Sequence, residues 1–271
     1  MKKKIAIIIL SYNSDHIIKK TILAAKKISN NIIIVDSFSR DKTLKIAKSF
    51  NCKIIKRKFI NYAKQRNFII KKYNNLSNWQ LHIDADEILT EELIQNIKSV
   101  INSNKKNSVY LIKRKVIFMK KLLNFGGTSN WHLRLFPSGT TSVEKLKYDQ
   151  HFISNKSKKY LSGHILDHLA KDINSWIASH NKWSSLDAQI IKSVSIKTVN
   201  PNFFGNSIEK KRFYKKIYNN FPFSLLKPII LFLYKYVFLF GFLDGKIGFY
   251  YCFLNSLWFK TLVEIKKIES K

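Results

Sequence analysis

The sequence predicts an α/β fold: a mostly parallel sheet flanked by helices, followed by a C-terminal amphipathic helical appendage. In the first hundred residues, short apolar runs alternate with amphipathic segments, a spacing typical of right-handed βαβ units. Runs such as 32–35 are apolar throughout, which indicates strands covered on both faces. The 271 residues are 45% hydrophobic and 14% aromatic, so the chain can bury a core and is not disordered.

The elements follow from the same patterns. Ser39 and Thr90 are expected to cap the second and fourth helices, since a hydroxyl oxygen can accept from the free N–H groups of a first turn. Residues 109–136 are expected to form mixed strands with a loop at Gly126 and Gly127, and residues 173–194 a helix. Strands are predicted at 4–10, 31–36, 53–56 and 79–84, and helices at 17–28, 40–50, 62–73 and 90–102.

The most informative stretch is residues 79–87, a buried strand that ends in three carboxylates within four residues. In an open α/β sheet, ligands bind at the carboxyl ends of the strands. Asp84 and Asp86 are two apart, so in an extended segment both side chains point to the same side. Two carboxylates suit Mg²⁺ or Mn²⁺, which completes its shell with water and substrate phosphates. The alternative is an ordinary loop leading into a helix capped by Thr90.

Polar residues also follow the first two strands. Ser11, Tyr12 and Asn13 come after the first, and Asp36 and Ser37 end the second. Because parallel strands end at one edge of a sheet, we expect these residues to share a crevice with the acidic stretch. Asp36 could accept hydrogen bonds from a ribose hydroxyl or a base N–H. The sequence contains neither a dinucleotide fingerprint nor a P-loop, so other nucleotide chemistry lacks support.

The chain is strongly basic, with a net charge of +32. The excess is mostly Lys scattered along the sequence, which an A/T-rich coding bias explains in part. Anionic partners explain the rest: a nucleotide diphosphate, an acidic glycolipid or an anionic membrane face. No nucleic acid partner is expected. Cys52 and Cys252 lie far apart without metal-ligand spacing and are expected to be free thiols in a reducing compartment.

Several short segments, taken in order, carry a resemblance. They are Ser11-Tyr12-Asn13, Ile34-Val35-Asp36-Ser37, Gln65-Arg66-Asn67, Ile83-Asp84-Ala85-Asp86-Glu87, Leu133-Arg134-Leu135-Phe136, Glu144-Lys145-Leu146 and the glycine-containing segment 241–249. Together they resemble the family-2 glycosyltransferases, nucleotide-sugar enzymes of the GT-A fold. More narrowly, they resemble the branch that adds β-1,4-glucose to the lipopolysaccharide core.

The resemblance implies a role for each matching residue. Asp86, with Asp84, would bind Mg²⁺ or Mn²⁺ against the diphosphate. Separately from the resemblance, Phe125, Trp131 and Arg134 could shape the acceptor side, since aromatic rings stack on sugar faces, or could simply belong to the core. Arg66 could instead belong to a solvated helix face, and Tyr12 could be a packing residue of its loop. The residues implied to hold the nucleotide sugar are Ser11, Tyr12, Asn13, Asp36, Ser37, Arg66, Asp84 and Ala85.

An inverting transfer also needs a base that removes the proton of the acceptor hydroxyl. A positioned carboxylate accelerates such a step on the order of 10²–10⁴-fold. Glu144 matches the Glu of the family's Val-His-Glu segment, although Val143 stands where His is usual. The alternative for Glu144 is a surface ion pair with Lys145 or Lys147. Asp149 is the second candidate base.

The resemblance places a GT-A domain at residues 1–205, with a nucleotide-sugar part at about 1–105 and an acceptor part at about 106–205. Residues 206–271 form a basic, aromatic helical region without the roughly 20 uninterrupted apolar residues of a spanning helix. Aromatics mixed with lysines favour the membrane interface. The alternative is a helical hairpin packed on the catalytic domain.

The expected function is therefore an inverting, metal-dependent transfer of a hexose, glucose from UDP-glucose, onto a lipopolysaccharide core or related surface glycan. The expected location is cytoplasmic, peripheral on the inner face of a bacterial inner membrane. One alternative is transfer of a different UDP-sugar to another surface glycan or capsule. Others are a nucleotidyltransferase, and a basic membrane- or nucleic-acid-binding protein without catalysis.

Overall fold

The computed structural model describes residues 3–103, 106–145, 150–192, 201–205 and 207–269. These residues separate into two compact units. The first contains residues 3–103, 106–114, 131–145 and 150–167, and the second contains 115–130, 168–192, 201–205 and 207–269. The domain division at 205/206 expected from the resemblance stays a prediction. Residues 168–192 group with the C-terminal part because the helix there packs Ala188 against Phe259 and Val263.

The sheet uses most of the strands in the described residues. Their order is β3-β2-β1-β4-β8-β6-β11-β5, with β7 paired to β6 and a separate β9–β10 ladder. The strands are β1 (Lys3–Ser11), β2 (Ile32–Asp36), β3 (Lys53–Lys56), β4 (Ser77–Asp84), β5 (Glu87–Leu89), β6 (Ser108–Phe118), β7 (Lys121–Leu122), β8 (Asn130–Pro137), β9 (Ser142–Val143), β10 (Phe152–Ile153) and β11 (Ser157–His168).

Four helices connect the strands of the first unit, and β1 to β4 run parallel, as the alternating pattern predicts. Strand β8 pairs antiparallel with β4, and β5 antiparallel with β11, so the sheet is mixed beyond its parallel half. The expected α/β class is confirmed. The helices are α1 (Ile18–Lys26), α2 (Thr43–Ser49), α3 (Tyr62–Tyr73) and α4 (Glu91–Ser103).

Strand β1 lies at the centre of the core, and its side chains alternate between two apolar clusters. Ile5, Ile7 and Ile9 face the cluster that contains residues of α1 and α4. Ala6, Ile8 and Leu10 face the cluster completed by Ile69 and Tyr73 of α3. Helices therefore cover both faces of the parallel strands, which explains why their sequences are apolar throughout.

The two predicted helix caps differ in outcome. Thr90 Oγ1 accepts from the N–H of Leu93 at 3.4 Å, as expected of a cap. Ser39 does not cap α2, which begins at Thr43 without a side-chain cap. The Ser39 hydroxyl binds the carboxylate of Asp36 instead, because an ionised acceptor forms a stronger hydrogen bond than a helix N–H group does.

The second unit is largely helical. Asp244 ties its helices to the β7 loop, because its carboxylate accepts from the backbone N–H groups of Asn124 and Phe125, the latter at 2.9 Å. Its helices are α5 (Ile173–Lys192), α6 (Ser207–Asn220), α7 (Leu226–Leu233), α8 (Gly245–Cys252) and α9 (Phe259–Glu269), with π-helical turns at Tyr234–Phe238 and Phe253–Trp258. Residues 193 and 194, the end of the predicted helix, lie outside the described residues.

Within the described ranges, no single helix has the length and hydropathy to cross a membrane. One pair, Leu226–Phe238 with Gly241–Glu269, meets that criterion jointly, and its two arms are bent by 71°.

Candidate active site

The parallel strands bring three polar segments to one edge of the sheet. In the register of β1, Ser11 lies beside Asp36 of β2, and Leu10 lies beside Asp84 of β4. The carboxyl ends of these strands are therefore neighbours, as the sequence predicts. This edge is where an open α/β sheet binds its ligand.

Asp36 is fully buried, and its carboxylate is bound within its own loop. Oδ1 accepts from the hydroxyls of Ser11 at 3.0 Å and Ser39 at 2.5 Å, and Oδ2 accepts from the Ser39 N–H at 2.8 Å. An ionised carboxylate offers about four acceptor positions, so Oδ2 keeps accepting capacity. Asp36 thus fixes the loop after β2, and its contact with a ribose or base stays a prediction.

The loops after β1 and β2 are joined by hydrogen bonds. Asn13, in the left-handed region at φ 47°, donates its N–H to Ser39 Oγ at 2.9 Å and accepts the N–H of Arg40 on its side-chain oxygen at 2.9 Å. The N–H of Ser37 donates to the carbonyl of Ser11 at 3.0 Å. Tyr12 is 59% exposed between these fixed neighbours. The structure therefore presents an aromatic ring on a rigid support.

The acidic stretch folds as a tight turn and not as the extended segment that the sequence suggested. Strand β4 ends at Asp84, residues Ala85 and Asp86 form the turn, and β5 begins at Glu87. Two hydrogen bonds to the Ala85 backbone hold the turn: Ala85 N–H donates to Leu10 O at 3.0 Å, and the Thr21 hydroxyl donates to Ala85 O at 2.7 Å. Both backbone groups of Ala85 are thus engaged inside the protein.

Two arginines bind the first carboxylate of the turn. Arg66 Nη2 lies 2.6 Å from Asp84 Oδ1, and Arg134 Nη2 lies 3.5 Å from Asp84 Oδ2. Arg134 also donates to Glu87 Oε1 at 2.5 Å, and Glu87 Oε2 accepts the N–H of Asp84 at 2.9 Å. Arg134, expected on the acceptor side, thus contacts the acidic turn directly.

A fourth carboxylate joins this cluster from a distant part of the chain. Asp167 of β11 is paired in register with Glu87 of β5 and forms an ion pair with Arg114 at 3.1 Å. The site then contains four carboxylates, those of Asp84, Asp86, Glu87 and Asp167, against the guanidinium groups of Arg66, Arg114 and Arg134.

The two aspartates of the turn differ in electrostatics. Burial alone would raise the pKa of Asp84, but Arg66 and Arg134 outweigh it and lower that pKa. For Asp86, burial and the nearby charges of Asp167, Asp84 and Glu87 raise the pKa well above its usual range. In the described part of the chain no cation forms an ion pair with Asp86, whereas each of the other three carboxylates has an arginine.

This arrangement defines which metal could fit. Across the described residues, no three His, Cys, Asp or Glu side chains are arranged to hold an ion by themselves. Asp86 forms no ion pair with any described residue, and the neighbouring Asp84 is held by arginines. Such a set fits Mg²⁺ or Mn²⁺, which binds through one or two carboxylates and takes its other ligands from phosphates and water.

Arg66 occupies the inward face of α3, four residues before Ile70 and three after Ala63, both buried. Arg66 is 4% exposed, and its guanidinium carbon lies 5.3 Å from the centroid of the Phe152 ring. Its Nη1 is buried and makes no hydrogen bond within the described structure. The solvated-face alternative does not fit this burial, since Arg66 is instead a buried cation with one donor group to spare.

Glu144 follows the short strand β9 and is 3% exposed. Its Oε2 accepts the backbone N–H of His151 at 2.8 Å. The side chain of Asn67, next to Arg66 on α3, makes two hydrogen bonds of 2.9 Å to the backbone of Val143. Helix α3 therefore positions both Arg66 and the segment that carries Glu144.

The alternatives stated for Glu144 can be compared with this geometry. A solvent-exposed ion pair with Lys145 does not fit a side chain that is 3% exposed. Lys147 and Asp149 lie outside the described residues. Trp131, predicted for the acceptor side, packs edge-on against Tyr160 with ring centroids 4.7 Å apart.

Sequence reasoning missed Asp167, Arg114 and Tyr62. A local signal existed for Asp167, because it continues the alternation of buried residues Leu161 and Ile165 along β11. A charged residue on the buried face of a strand is unusual and points to a site. Tyr62 is a candidate because burial, and after it the charges of Asp84 and Asp86, raise its pKa to about 12.

Comparisons with known proteins agree with this architecture. An uncharacterized glycosyltransferase of Rickettsia bellii is 32% identical over 121 residues, 45% of this chain and 40% of that protein. One of Rickettsia typhi is 32% identical over 117 residues, 43% of this chain and 39% of that protein. The alignments thus span about two fifths of the length of these curated relatives.

Among solved structures, a mannosyltransferase from Pyrobaculum calidifontis, in complex with GDP-Man and Mn²⁺, superposes with a TM-score of 0.55. The match covers 100% of this chain and 88% of that chain at 11% identity, so it is a likeness of fold. Residues 6–159, more than half of the chain, match the family described as Glycosyl transferase family 2. The chain therefore belongs to glycosyl transferase family 2, which confirms the enzyme class and the GT-A-type fold predicted from its motifs.

Proposed function

We propose that this protein transfers a hexose, with inversion, from a UDP-sugar to a glycolipid or oligosaccharide acceptor. The preferred donor is UDP-glucose, and the acceptor is a lipopolysaccharide core or related surface glycan at the cytoplasmic face of the inner membrane. The observation that carries the proposal is the acidic turn at the sheet edge. There, Asp86, which forms no ion pair among the described residues, lies close to Asp84, and Asp84 binds the buried guanidinium group of Arg66, which has a donor to spare.

The nucleotide would bind where the loops after β1 and β2 meet. The exposed ring of Tyr12 can stack on the base, and Asp36 Oδ2 retains accepting capacity for a ribose hydroxyl. Hydrogen bonds fix both loops before the ligand arrives, so little conformational entropy is lost on binding. Arg66 Nη1 can donate to the diphosphate, and such a charge-assisted bond is about twice as strong as a neutral one.

Asp86, supported by Asp84, would hold the metal. When bound, Mg²⁺ or Mn²⁺ neutralises negative charge that develops on the departing nucleotide diphosphate. Arg66 and Arg134 keep Asp84 ionised and fixed, so the turn is preorganised. The crowding of carboxylates around Asp86, unfavourable in the protein alone, is the feature that would attract a cation.

Glu144 would accept the proton of the acceptor hydroxyl as the sugar is transferred. The His151 N–H fixes one carboxylate oxygen, which orients the other. A general base must be held within hydrogen-bond reach of its proton, and this anchoring serves that requirement. Glu144→Gln should lose transfer while keeping donor binding, measured by product formation and by donor-induced thermal shift. Full activity would place the base elsewhere.

The metal role is tested by Asp86→Ala with Glu92→Ala as the matched control, since Glu92 is an exposed carboxylate on α4. UDP-sugar turnover with Mn²⁺ should fall at least a hundredfold in Asp86→Ala and stay within twofold in the control. Turnover by Asp86→Ala at the normal rate would refute the metal role.

The donor is identified by thermal shift with UDP-, GDP- and CMP-sugars plus Mn²⁺. A ligand that binds only the folded protein stabilises it by about 2.7 kcal/mol at a hundred times its Kd. We expect UDP-glucose to give the largest increase in melting temperature, and to give none after EDTA treatment. A larger shift with a GDP- or CMP-sugar would contradict the choice of nucleotide.

A further inference from the structure

The helices between residues 225 and 253, here called the apolar hairpin, expose their apolar side chains. Along α7 and the following π-helical turn, these residues recur at spacings of three and four, so they form one stripe on one helix face. Each is at least 45% exposed. The stripe includes Leu226, Ile229, Ile230, Leu233, Val237 and Phe238.

The two lysines of α7 and the following π-helical turn are engaged within the second unit. Lys227 is 7% exposed and donates to the carbonyl of Asn219 at 3.1 Å. Lys235 donates to Asn255 Oδ1 at 2.8 Å. A helix on a water-soluble domain shows the reverse arrangement, with apolar residues inside and lysines outside. Polar groups that face the interior of a helical bundle are typical of segments surrounded by lipid.

Close packing holds the two arms of the hairpin together. The ring centroid of Phe249 lies 5.9 Å from that of Phe232 and 5.5 Å from that of Tyr236. A Cβ on Gly248 would lie 2.2 Å from the carbonyl oxygen of Gly241. Small residues permit such close backbone approach, as they do between helices in membranes. The exposed stripe is therefore the outer surface of a packed element.

The first arm of the hairpin is too short to cross the bilayer by itself. Residues 226–238 extend about 20 Å at 1.5 Å per residue, shorter than the roughly 30 Å hydrocarbon core. Among the described helices, the pair bent by 71° reaches the length and hydropathy of a span when its two arms are taken together. This geometry suits an element that enters one leaflet and returns.

Charge identifies the kind of surface that the hairpin meets. Residues 201–271 contain twelve Lys and Arg against four Asp and Glu. Lys210 and Lys216 of α6, just before the hairpin, and Lys246 within it are exposed. Basic residues near an anionic bilayer strengthen binding to it.

From these observations we propose that the apolar hairpin inserts into one leaflet of an anionic lipid bilayer, with its stripe in contact with acyl chains. The inference rests on the membrane location in the proposed function and assigns it to particular residues. Basic residues attract the protein to the surface, and the stripe keeps it there when salt screens the charges.

The test is flotation of the full chain with vesicles of phosphatidylethanolamine and phosphatidylglycerol at 3:1, in low salt and in 1 M NaCl. The double variant Ile230→Glu/Phe238→Glu changes two exposed residues, so its fold in water should be unaffected. The matched control is Leu23→Glu/Leu76→Glu, because both leucines are exposed apolar residues of the first unit, 44% and 50% accessible. UDP-sugar binding by thermal shift monitors folding and the nucleotide site in every variant.

We expect wild type and control to float in both salt conditions. For the hairpin variant, the fraction bound to vesicles in 1 M NaCl should be at least tenfold lower than for wild type. Flotation of the hairpin variant equal to wild type at high salt would overturn the proposal. The wild-type protein could instead be a dimer without lipid. If the hairpin substitutions convert that dimer to a monomer and leave flotation unchanged, the stripe contacts a second copy of this chain and the proposal is overturned. Failure of the proposed function would be seen separately, as a wild-type protein that floats with the vesicles but does not bind a UDP-sugar.

Discussion

Replacing Arg134 by Met should strongly destabilise the first unit, because the guanidinium group of Arg134 neutralises the carboxylates of Glu87 and Asp84. Its Nη2 lies 2.5 Å from Glu87 Oε1 and 3.5 Å from Asp84 Oδ2. At an effective dielectric constant near 20, these separations correspond to gross attractions of about 7 and about 5 kcal/mol. Asp84 is 33% exposed, so solvent screens its share, and desolvation of the guanidinium group offsets much of the remainder.

Removing one partner of a buried pair costs about 3–5 kcal/mol, because the other charge is left uncompensated. We expect Arg134→Met to lose this much free energy of unfolding, measured by urea denaturation with circular dichroism at pH 7. Arg40→Met, at an exposed arginine, is the control and should change stability by less than about 0.5 kcal/mol.

The same reasoning predicts rescue. Glu87→Gln in the Arg134→Met background removes the orphaned charge and should recover about 1–3 kcal/mol. Burial already raises the pKa of Glu87 against the opposing effect of Arg134. Without that arginine the pKa of Glu87 rises further, so the deficit should be larger at pH 8 than at pH 5. A loss below 1 kcal/mol, or a double variant no more stable than Arg134→Met, would refute the electrostatic account.

Three further outcomes are expected. Asp86→Asn should raise the melting temperature in EDTA, because the pKa of Asp86 is raised by burial and like charges, so its ionisation destabilises the fold near neutral pH; a fall of several degrees would contradict this. Burial lowers the pKa of His180 to about 4. The free energy of unfolding should therefore be unaffected by His180 above the unfolded pKa near 6.5, and should decrease by up to about 3 kcal/mol as the pH falls toward 4. A His180→Gln variant, measured by urea denaturation between pH 7 and pH 4, should lack this decrease. Gly248→Ala should cost about 1–3 kcal/mol by overpacking, since its Cβ would lie 2.2 Å from Gly241 O; unchanged thermal unfolding would exclude the close approach.

The carboxylates of the acidic turn lower the stability of the fold. Asp86 lies among carboxylates that raise its pKa, an arrangement that destabilises the protein in the absence of a cation. The arginines that fix Asp84 and Glu87 limit this cost. Preorganised charge of this type is common at functional sites, where a ligand supplies what the protein leaves unbalanced.

Local patterns determined much of this protein. The apolar run of β1 and the alternation of strands with helices defined the parallel half of the sheet. Because parallel strands end at one edge, those patterns also brought Ser11, Asp36 and Asp84 together. Order along the chain was sufficient for this, since each βαβ unit is built from neighbouring segments.

Tertiary structure decided what those residues contact. Ser39 could cap a helix or bind Asp36, and only the folded loop shows the second choice. Asp167 and Arg134 reach the acidic turn through antiparallel pairings across many residues, which local periodicity does not encode. In the C-terminal helices, the apolar and basic content can be read from the sequence. Packing determines which face each residue occupies, since Lys227 is buried and Ile230 is exposed.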